Sequence, residues 1–565
     1  GAGDITFSSP LDATTAATDT LSLTAGTGTI RFDDNVGAST ALASLTLNGA
    51  ATFADDIAVT TENGAITANG PVTAQRLTLD AGTGAVTASH ASNDFSGQVD
   101  ITGGAIHLAD TDGLAVVLTA SDSSTLTAGG NLAVSGTVSG ATSDLTTTTT
   151  GGGTTSLGEL AVGQNLSITS AGAVAQTGAA DIDGTTTVVA NDGTSDQDVT
   201  LSNTGNDFSG AVTITGHDVA MTDTNALLLG AITTSGDLTV RTGAGGTSGG
   251  VSQLPATQTG ALDIAGAATF HADATAEQTA NLRTQDNTFA GAVAFVGGTG
   301  SGSWASVQLK QSGDLELGDT ATTGDYAVLV SGALTNAENA TISIGGDAEF
   351  EGSAITLGDR TGDDLRFGTV AFTSDGAVSI DEDDAMELAL VAGGGASTAA
   401  SASLSAKGAI TDGADGQLTV SGALSLTAND GVSDAAITLD NNTHDVGGAL
   451  SAHGADLTLT DVNALELGTV TASGNLVTRT GSGSEAGSGN GGLTQTGVIT
   501  VSGTSTFTAD TVTVQDALLN NAGNDFGGVV TFNTASGGSW NDLTIVDANS
   551  LTLGDVAASG KLDAT

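Results

Sequence analysis

A seven-residue signature recurs along this chain and limits what it can fold into. It reads Asn-Asp-Phe-Ser-Gly-Gln-Val at 93–99, Asn-Asp-Phe-Ser-Gly-Ala-Val at 206–212 and Asn-Asp-Phe-Gly-Gly-Val-Val at 524–530. Looser copies are Asn-Thr-Phe-Ala-Gly-Ala-Val at 287–293 and His-Asp-Val-Gly-Gly-Ala-Leu at 444–450. A second signature, Asp-x-x-x-Leu-x-Leu-Gly, starts at Asp223, Asp461 and Asp547. A third, Gly-x-Leu, closes the unit at Gly236, Gly474 and Gly560. The step from Phe208 to Phe289 is 289 − 208 = 81, and that from Val446 to Phe526 is 526 − 446 = 80. A longer period lies above these. Asn225 returns as Asn463 and Arg241 as Arg479, where 463 − 225 and 479 − 241 both give 238. Trp304 returns as Trp540, and 540 − 304 gives 236. The spacing divides the chain into residues 1–189 with divergent repeats, a long unit at 190–427 and a truncated second copy at 428–565. A single continuous solenoid through all three is expected.

Inside each unit the pattern has period 2. Leu21-Ser22-Leu23, Leu77-Thr78-Leu79, Val212-Thr213-Ile214 and Leu457-Thr458-Leu459 alternate apolar residues with Ser or Thr. That places the apolar side chains on one face of a strand and the hydroxyls on the other. Thr, Val and Ile favour strands because a branched Cβ packs well on a pleated surface. Gly, Asn, Asp and Ser punctuate the runs and supply turns. No helical stripe of useful length is present. Many short strands leave a string of sandwiches, a propeller or a solenoid. The chain holds 2 Trp, 1 Tyr and 14 Phe in 565 residues. A sandwich core leans on large aromatics, whereas a solenoid core is a thin stack of Val, Leu, Ile and Ala covered by neighbouring coils. The expectation is an all-β, right-handed parallel β-helix. At about 20 residues per coil it would hold about 28 coils and extend roughly 130 Å.

Charge removes several function classes. Lys+Arg is 10 against Asp+Glu 63, a net charge of −53. Such a chain repels nucleic acid, whose phosphates need Lys and Arg partners. Cys is 0, which excludes disulfide scaffolds, thiolate zinc sites and thiol catalysis. No apolar stretch approaches the about 20 residues of a transmembrane helix. The first residues carry neither a basic region nor an apolar signal core, so a removed signal or, more simply, a piece of a longer protein is expected.

The run Ala-Gly-Thr-Gly-Thr-Ile-Arg-Phe at 25–32, Leu-Ala-Ser-Leu-Thr-Leu at 42–47, the Asn-Asp-Phe-x-Gly-x-Val copies and Asp-x-x-x-Leu-x-Leu-Gly together resemble the β-helical shafts of filamentous-haemagglutinin-like adhesins. These are large two-partner-secreted exoproteins of Gram-negative bacteria. The resemblance implies a right-handed parallel β-helix, export through an outer-membrane secretion partner, and work at the cell surface or in biofilm matrix, against surface or matrix polysaccharide or protein. The family's secretion module carries Asn-Pro-Asn motifs, and this chain has none; its prolines are Pro10, Pro71 and Pro255. The expected function is non-enzymatic: a shaft segment of an extracellular adhesin or matrix filament. Two alternatives stand beside it. One is a subunit that self-associates end to end through unpaired coil edges. The other is a polysaccharide-cleaving β-helix enzyme using paired carboxylates.

Candidate sites are sparse. Asp381-Glu382-Asp383-Asp384 is the densest carboxylate run, with Asp359, Asp363 and Asp364 nearby. Calcium takes 6–8 oxygens, which makes Asp381, Asp383 and Asp384 the calcium candidates against a solvated acidic face. The calcium-binding Gly-Gly-x-Gly-x-Asp repeat is absent. His90, His107, His217, His271, His444 and His453 lack the spacing of paired zinc ligands and read as isolated surface side chains. Gly298–Gly302 is phosphate-loop-like only in its letters, without a following helix. Leu254-Pro255-Ala256-Thr257-Gln258 reads as a turn, not a sortase signal. Phe95, Phe208, Phe289 and Phe526 read as core anchors. Asn93, Asn206 and Asn524 read as turn residues bonded to their own backbone. Trp304 and Trp540 read as loop caps or exposed sugar contacts.

Overall fold

The alternation seen in the sequence becomes parallel strands stacked coil upon coil. The computed structural model describes residues 3–298, 302–482, 491–510 and 514–565. Among them there is no helix, and hence none long and apolar enough to cross a membrane. The described ladders between strands are parallel, so the parallel β-solenoid expected from the repeats is present, in about 25 turns. Two compact units are resolved: Gly1–Gly291 with Gly297–Ser303, and Ala292–Val296 with Trp304–Thr565.

In the first unit one column runs through ten coils. Leu45, Ile66, Val86, Ile106, Ser124, Leu145, Leu166, Thr186, Val212 and Leu229 lie in successive register. All ten are buried, and each covers the apolar face of the next, which is the stabilising term of a stacked repeat. Ser124 is tolerated because its hydroxyl accepts the Ile106 N–H at 3.1 Å and donates to the Asp122 carbonyl at 3.0 Å. The coil is not of fixed length. Val99 pairs with Val116, a step of 116 − 99 = 17. Leu238 pairs with Ala268, a step of 268 − 238 = 30. Loops absorb the difference while the strands stay in register. At one end of this unit Phe7, Phe32 and Phe53 stack with ring centroids 5.2 and 5.1 Å apart.

The second unit repeats the plan and adds an eight-stranded parallel sheet. Its strands are Met386–Glu387, Ile410–Thr411, Ile437–Leu439, Leu457–Asp461, Leu476–Thr480, Ser505–Ala509, Val529–Thr534 and Thr552–Val556. Large rings cluster inside: Tyr326 sits edge-on between Phe295 and Phe350, and Phe532 packs on Phe507 and Trp540. Trp304 and Trp540 are both 0% exposed. The sequence reading as caps or sugar contacts is corrected here. Each indole N–H donates to a backbone carbonyl, that of Val296 and that of Asn533, at 3.1 and 2.8 Å, so each ring is a core residue of its coil.

Two signature glycines have structural causes. A Cβ on Gly97, Gly210, Gly291 or Gly528 would lie 2.5, 2.4, 2.5 or 2.3 Å from a carbonyl oxygen of the preceding coil. The Gly of Asn-Asp-Phe-x-Gly therefore lets two coils touch backbone to backbone. The Leu-x-Leu-Gly signature marks a β-bulge. Register slips between Val212 and Ile214, between Leu450 and Ala452, and between Val530 and Phe532, opposite the segments holding Gly230, Gly468 and Gly554. One extra residue on the later strand bends it at a corner.

Exposed corners carry a carboxylate and amide ladder. Asp198 Oδ1 accepts the Asp218 N–H at 3.3 Å, Asp218 Oδ1 accepts the Asp237 N–H at 2.9 Å, and Asp237 Oδ1 accepts the Ala267 N–H at 2.8 Å. Asn165 and Asn475 make the same bond, to the Thr185 and Thr504 N–H, each at 2.9 Å. Much of the acidity is thus structural: a short acceptor caps the first amide of the strand one coil on.

Candidate functional site

The first signature residue, expected as a turn residue bonded to its own backbone, closes a turn through its N–H in Asn93, Asn206 and Asn524, and its side chain lies inside the coil. Asn93, Asn206, Asn287 and Asn524 are 0% exposed. Their Oδ1 atoms accept the N–H of Val72, Ala180, Leu262 and Ile499, each on the preceding coil, at 2.8–3.0 Å. Their Nδ2 groups donate to nearby carbonyls, those of Ala88, Leu201, Leu282 and Leu519. In three copies a glutamine completes the amide. Gln176, Gln253 and Gln495 donate through Nε2 to Asn206, Asn287 and Asn524 at 2.9, 2.6 and 2.9 Å.

A further copy substitutes both partners at once. His444 takes the asparagine position and Asp412 the glutamine position. Leu418 N–H donates to His444 Nδ1 at 3.1 Å, and His444 Nε2 lies 2.8 Å from Asp412 Oδ2. Because Nδ1 accepts, the proton of the neutral ring sits on Nε2 and is donated to Asp412. His444 is 1% exposed, so the reading of all six histidines as surface groups fails at this one. The cause is an exchange of one complementary buried pair for another. Burial pushes the Asp412 carboxyl up, but the bonds from His444 and the Asn441 N–H outweigh it and hold Asp412 below the usual carboxylate value.

The acid that opens the second signature is internal at Asp223 and Asp461, though not at Asp547, and Asp110 takes the same position in an earlier coil. Asp110, Asp223 and Asp461 each accept, through Oδ2, the N–H of the residue 15 positions earlier: Phe95, Phe208 and Val446, at 3.1–3.2 Å. Glu382 does the same for Phe367 at 2.8 Å. All four side chains are buried. Burial pushes the three aspartates up to about 6 and Glu382 up to about 9. The repeated geometry is a bracket that ties together two backbone segments 15 residues apart.

The three calcium candidates lie at the end of the strand Ala377–Glu382 and just beyond it. Asp383 accepts the Leu365 N–H at 2.9 Å and bonds Lys407. Asp381 is exposed at the strand end and is raised chiefly by desolvation, with Ser405 as a hydrogen-bond partner. Asp384 lies beside the buried Glu382. Asp364 pairs with Arg366 at 2.8 Å and Asp363 accepts from Asn336 at 2.9 Å. This acidic run is therefore interleaved with Lys407 and Arg366. Gly298–Gly302 includes 299–301, which lie outside the described residues. Leu254–Gln258 is a turn closed by Gln258 N–H to the Pro255 carbonyl at 2.8 Å. Phe95, Phe208, Phe289 and Phe526 are core residues, at most 3% exposed.

Among the described residues, three side chains combine as possible metal ligands: Asp198, His217 and Asp218, whose ligand atoms lie within 4.8 Å of one another. A surface depression of about 520 Å³ lies over the Arg241–Asp273 ion pair and is lined by Ser202, Thr222, Gly245 and Thr275. The ion pair recurs one long period on as Arg479–Asp510 at 2.8 Å. The chemically capable groups are thus mostly engaged in joining coils. Single-strand periodicity could not reveal the inner ladder. Its amide partners stand 30, 34 and 29 residues apart, across a coil of variable length.

A family model described as repeats of unknown function (DUF5649) matches residues 33–102, 142–215, 216–296, 305–373, 375–453 and 454–533. No curated protein matches the chain, and no solved structure does.

Proposed function

We propose that this chain, which belongs to the DUF5649 family of repeats of unknown function, is a non-enzymatic structural element of the extracellular surface: a shaft segment of a large adhesin or matrix filament of a Gram-negative bacterium. The observation that carries the reading is the inner ladder. Copy after copy, a buried amide or imidazole is spent on a backbone bond between coils. A buried, fully satisfied polar ladder rigidifies a stack and fixes its register. The outer face supports the same reading. With a net charge of −53, like-charged surfaces repel and stay dispersed. Export through an outer-membrane partner and contact with surface polysaccharide or protein belong to this proposal through the resemblance to filamentous-haemagglutinin-like shafts.

The test is location and chemistry on the native producer. Antibody raised against the chain should label intact cells or their matrix, and brief protease treatment of intact cells should remove the label. Signal that emerges only after lysis would overturn the extracellular reading. Release of reducing sugar from acidic polysaccharides by the purified chain would overturn its non-enzymatic part.

A further inference from the structure

The geometry points to a divalent transition-metal site, of the zinc class, formed by Asp198, His217 and Asp218 at one corner of the first unit. His217 Nδ1 lies 3.0 Å from Asp198 Oδ1 and 3.5 Å from Asp218 Oδ1. A zinc ion with bonds of about 2.0–2.2 Å in tetrahedral geometry needs ligand atoms about 3.3 Å apart. The two His217 separations bracket that value and the three ligand atoms all lie within 4.8 Å of one another, so closure of these exposed side chains around the ion would leave a coordination position open to water.

The ligands are held before any ion arrives. Asp198 and Asp218 belong to the corner ladder, and each uses Oδ1 to accept the N–H of the strand one coil on. Such outer contacts orient a ligating carboxylate. The His217 N–H donates to the Gln197 carbonyl at 2.9 Å, which fixes the residue's backbone against the same coil. The electrostatic setting favours a cation. The carboxylates of Asp198 and Asp218 lie 3.0 and 3.5 Å from His217 Nδ1 and bring two negative charges to the position an ion would take.

The chain carries its own altered copy as a control. One long period on, Asp456 takes the place of Asp218, but Ala436 and Ala455 stand where Asp198 and His217 would recur. The histidine of that corner is His453, whose Nε2 lies 3.1 Å from Asp434 Oδ1. The ligand set is broken, so this corner holds a single imidazole–carboxylate contact. Imidazole also separates the proposal from calcium, which takes oxygen ligands.

The experiment is calorimetric titration of the full chain with zinc chloride at pH 7.5 in enough sodium chloride to screen diffuse binding. One equivalent should bind. Its affinity should fall at least tenfold in His217→Ala and in Asp198→Asn, which keeps a carbonyl oxygen for the Asp218 N–H. It should be unchanged in His453→Ala, and should weaken from pH 7.5 to pH 6 as protons compete for the imidazole. No saturable binding, binding that His217→Ala leaves intact, an equal loss in His453→Ala, or displacement by equimolar calcium would each overturn the site. The last three outcomes would leave only adventitious binding by an acidic surface.

Discussion

At the scale of single residues, this protein places acids where water cannot reach them. Asp110, Asp223 and Asp461 sit near 6 and Glu382 near 9 because burial disfavours the charged form. The unfolded chain releases the same protons near 4. Above about pH 4 the native state therefore binds protons that the unfolded state has lost, and stability falls as pH rises through the folded values. The fold should gain stability when pH drops from 7 to 5, opposite to the usual behaviour of salt-bridged carboxylates. Asp412, held low by its partners, works the other way only as pH falls further. Thermal melts across pH 5–7 check this: the midpoint should rise toward pH 5, and a flat or falling trend would contradict the bracket. The slope should lessen in Asp223→Asn, although that change also alters the acceptor of the Phe208 N–H.

Elements show why some of this architecture was legible in the sequence and some was not. The alternation of Leu77-Thr78-Leu79 announces a half-buried strand whatever its neighbours, and the structure keeps Leu77 and Leu79 inside. Phe208 and its counterparts were legible as anchors because a large apolar ring in a small-residue chain has few other places to go. Asn206 was not legible, since the same side chain caps exposed turns and lines interior ladders, and only the coil length decides which. Trp540 misled because its flanking Gly-Ser looks like surface, while the aromatic cluster that receives it is built from residues of neighbouring coils. The His444–Asp412 exchange needed the register of a 32-residue separation. The close approach at Gly210 yields a prediction for one element. In Gly210→Ala the new methyl meets the Gly184 carbonyl oxygen at 2.4 Å, so the two coils must part. The cost should be about 1–3 kcal/mol, read as a lower denaturation midpoint and faster amide exchange at Ser209 and its neighbours. Wild-type exchange at Ser209, whose N–H donates to Ile182, would show that the contact is slack.

For the whole molecule, charge and cooperativity set the behaviour. Lys+Arg of 10 against Asp+Glu of 63 means that repulsion acts over every coil and is shortened by salt, from about 10 Å at 0.1 M to about 3 Å at 1 M. The melting midpoint should climb with sodium chloride up to about 0.5 M and then level off, whereas a small protein with balanced charge would scarcely respond. A midpoint independent of salt would mean that the acids are already neutralised by bound ions. Because each coil touches only its neighbours, stability is a sum of local terms, and unfolding should proceed in steps rather than as one transition.

The corner ladder also separates architecture from electrical character. Where Asp218 caps an amide with one carboxylate oxygen, Asn475 caps the equivalent kind of amide with a neutral carbonyl. A lineage could therefore retune its isoelectric point, residue by residue, to brackish or fresh surroundings without redrawing a single coil.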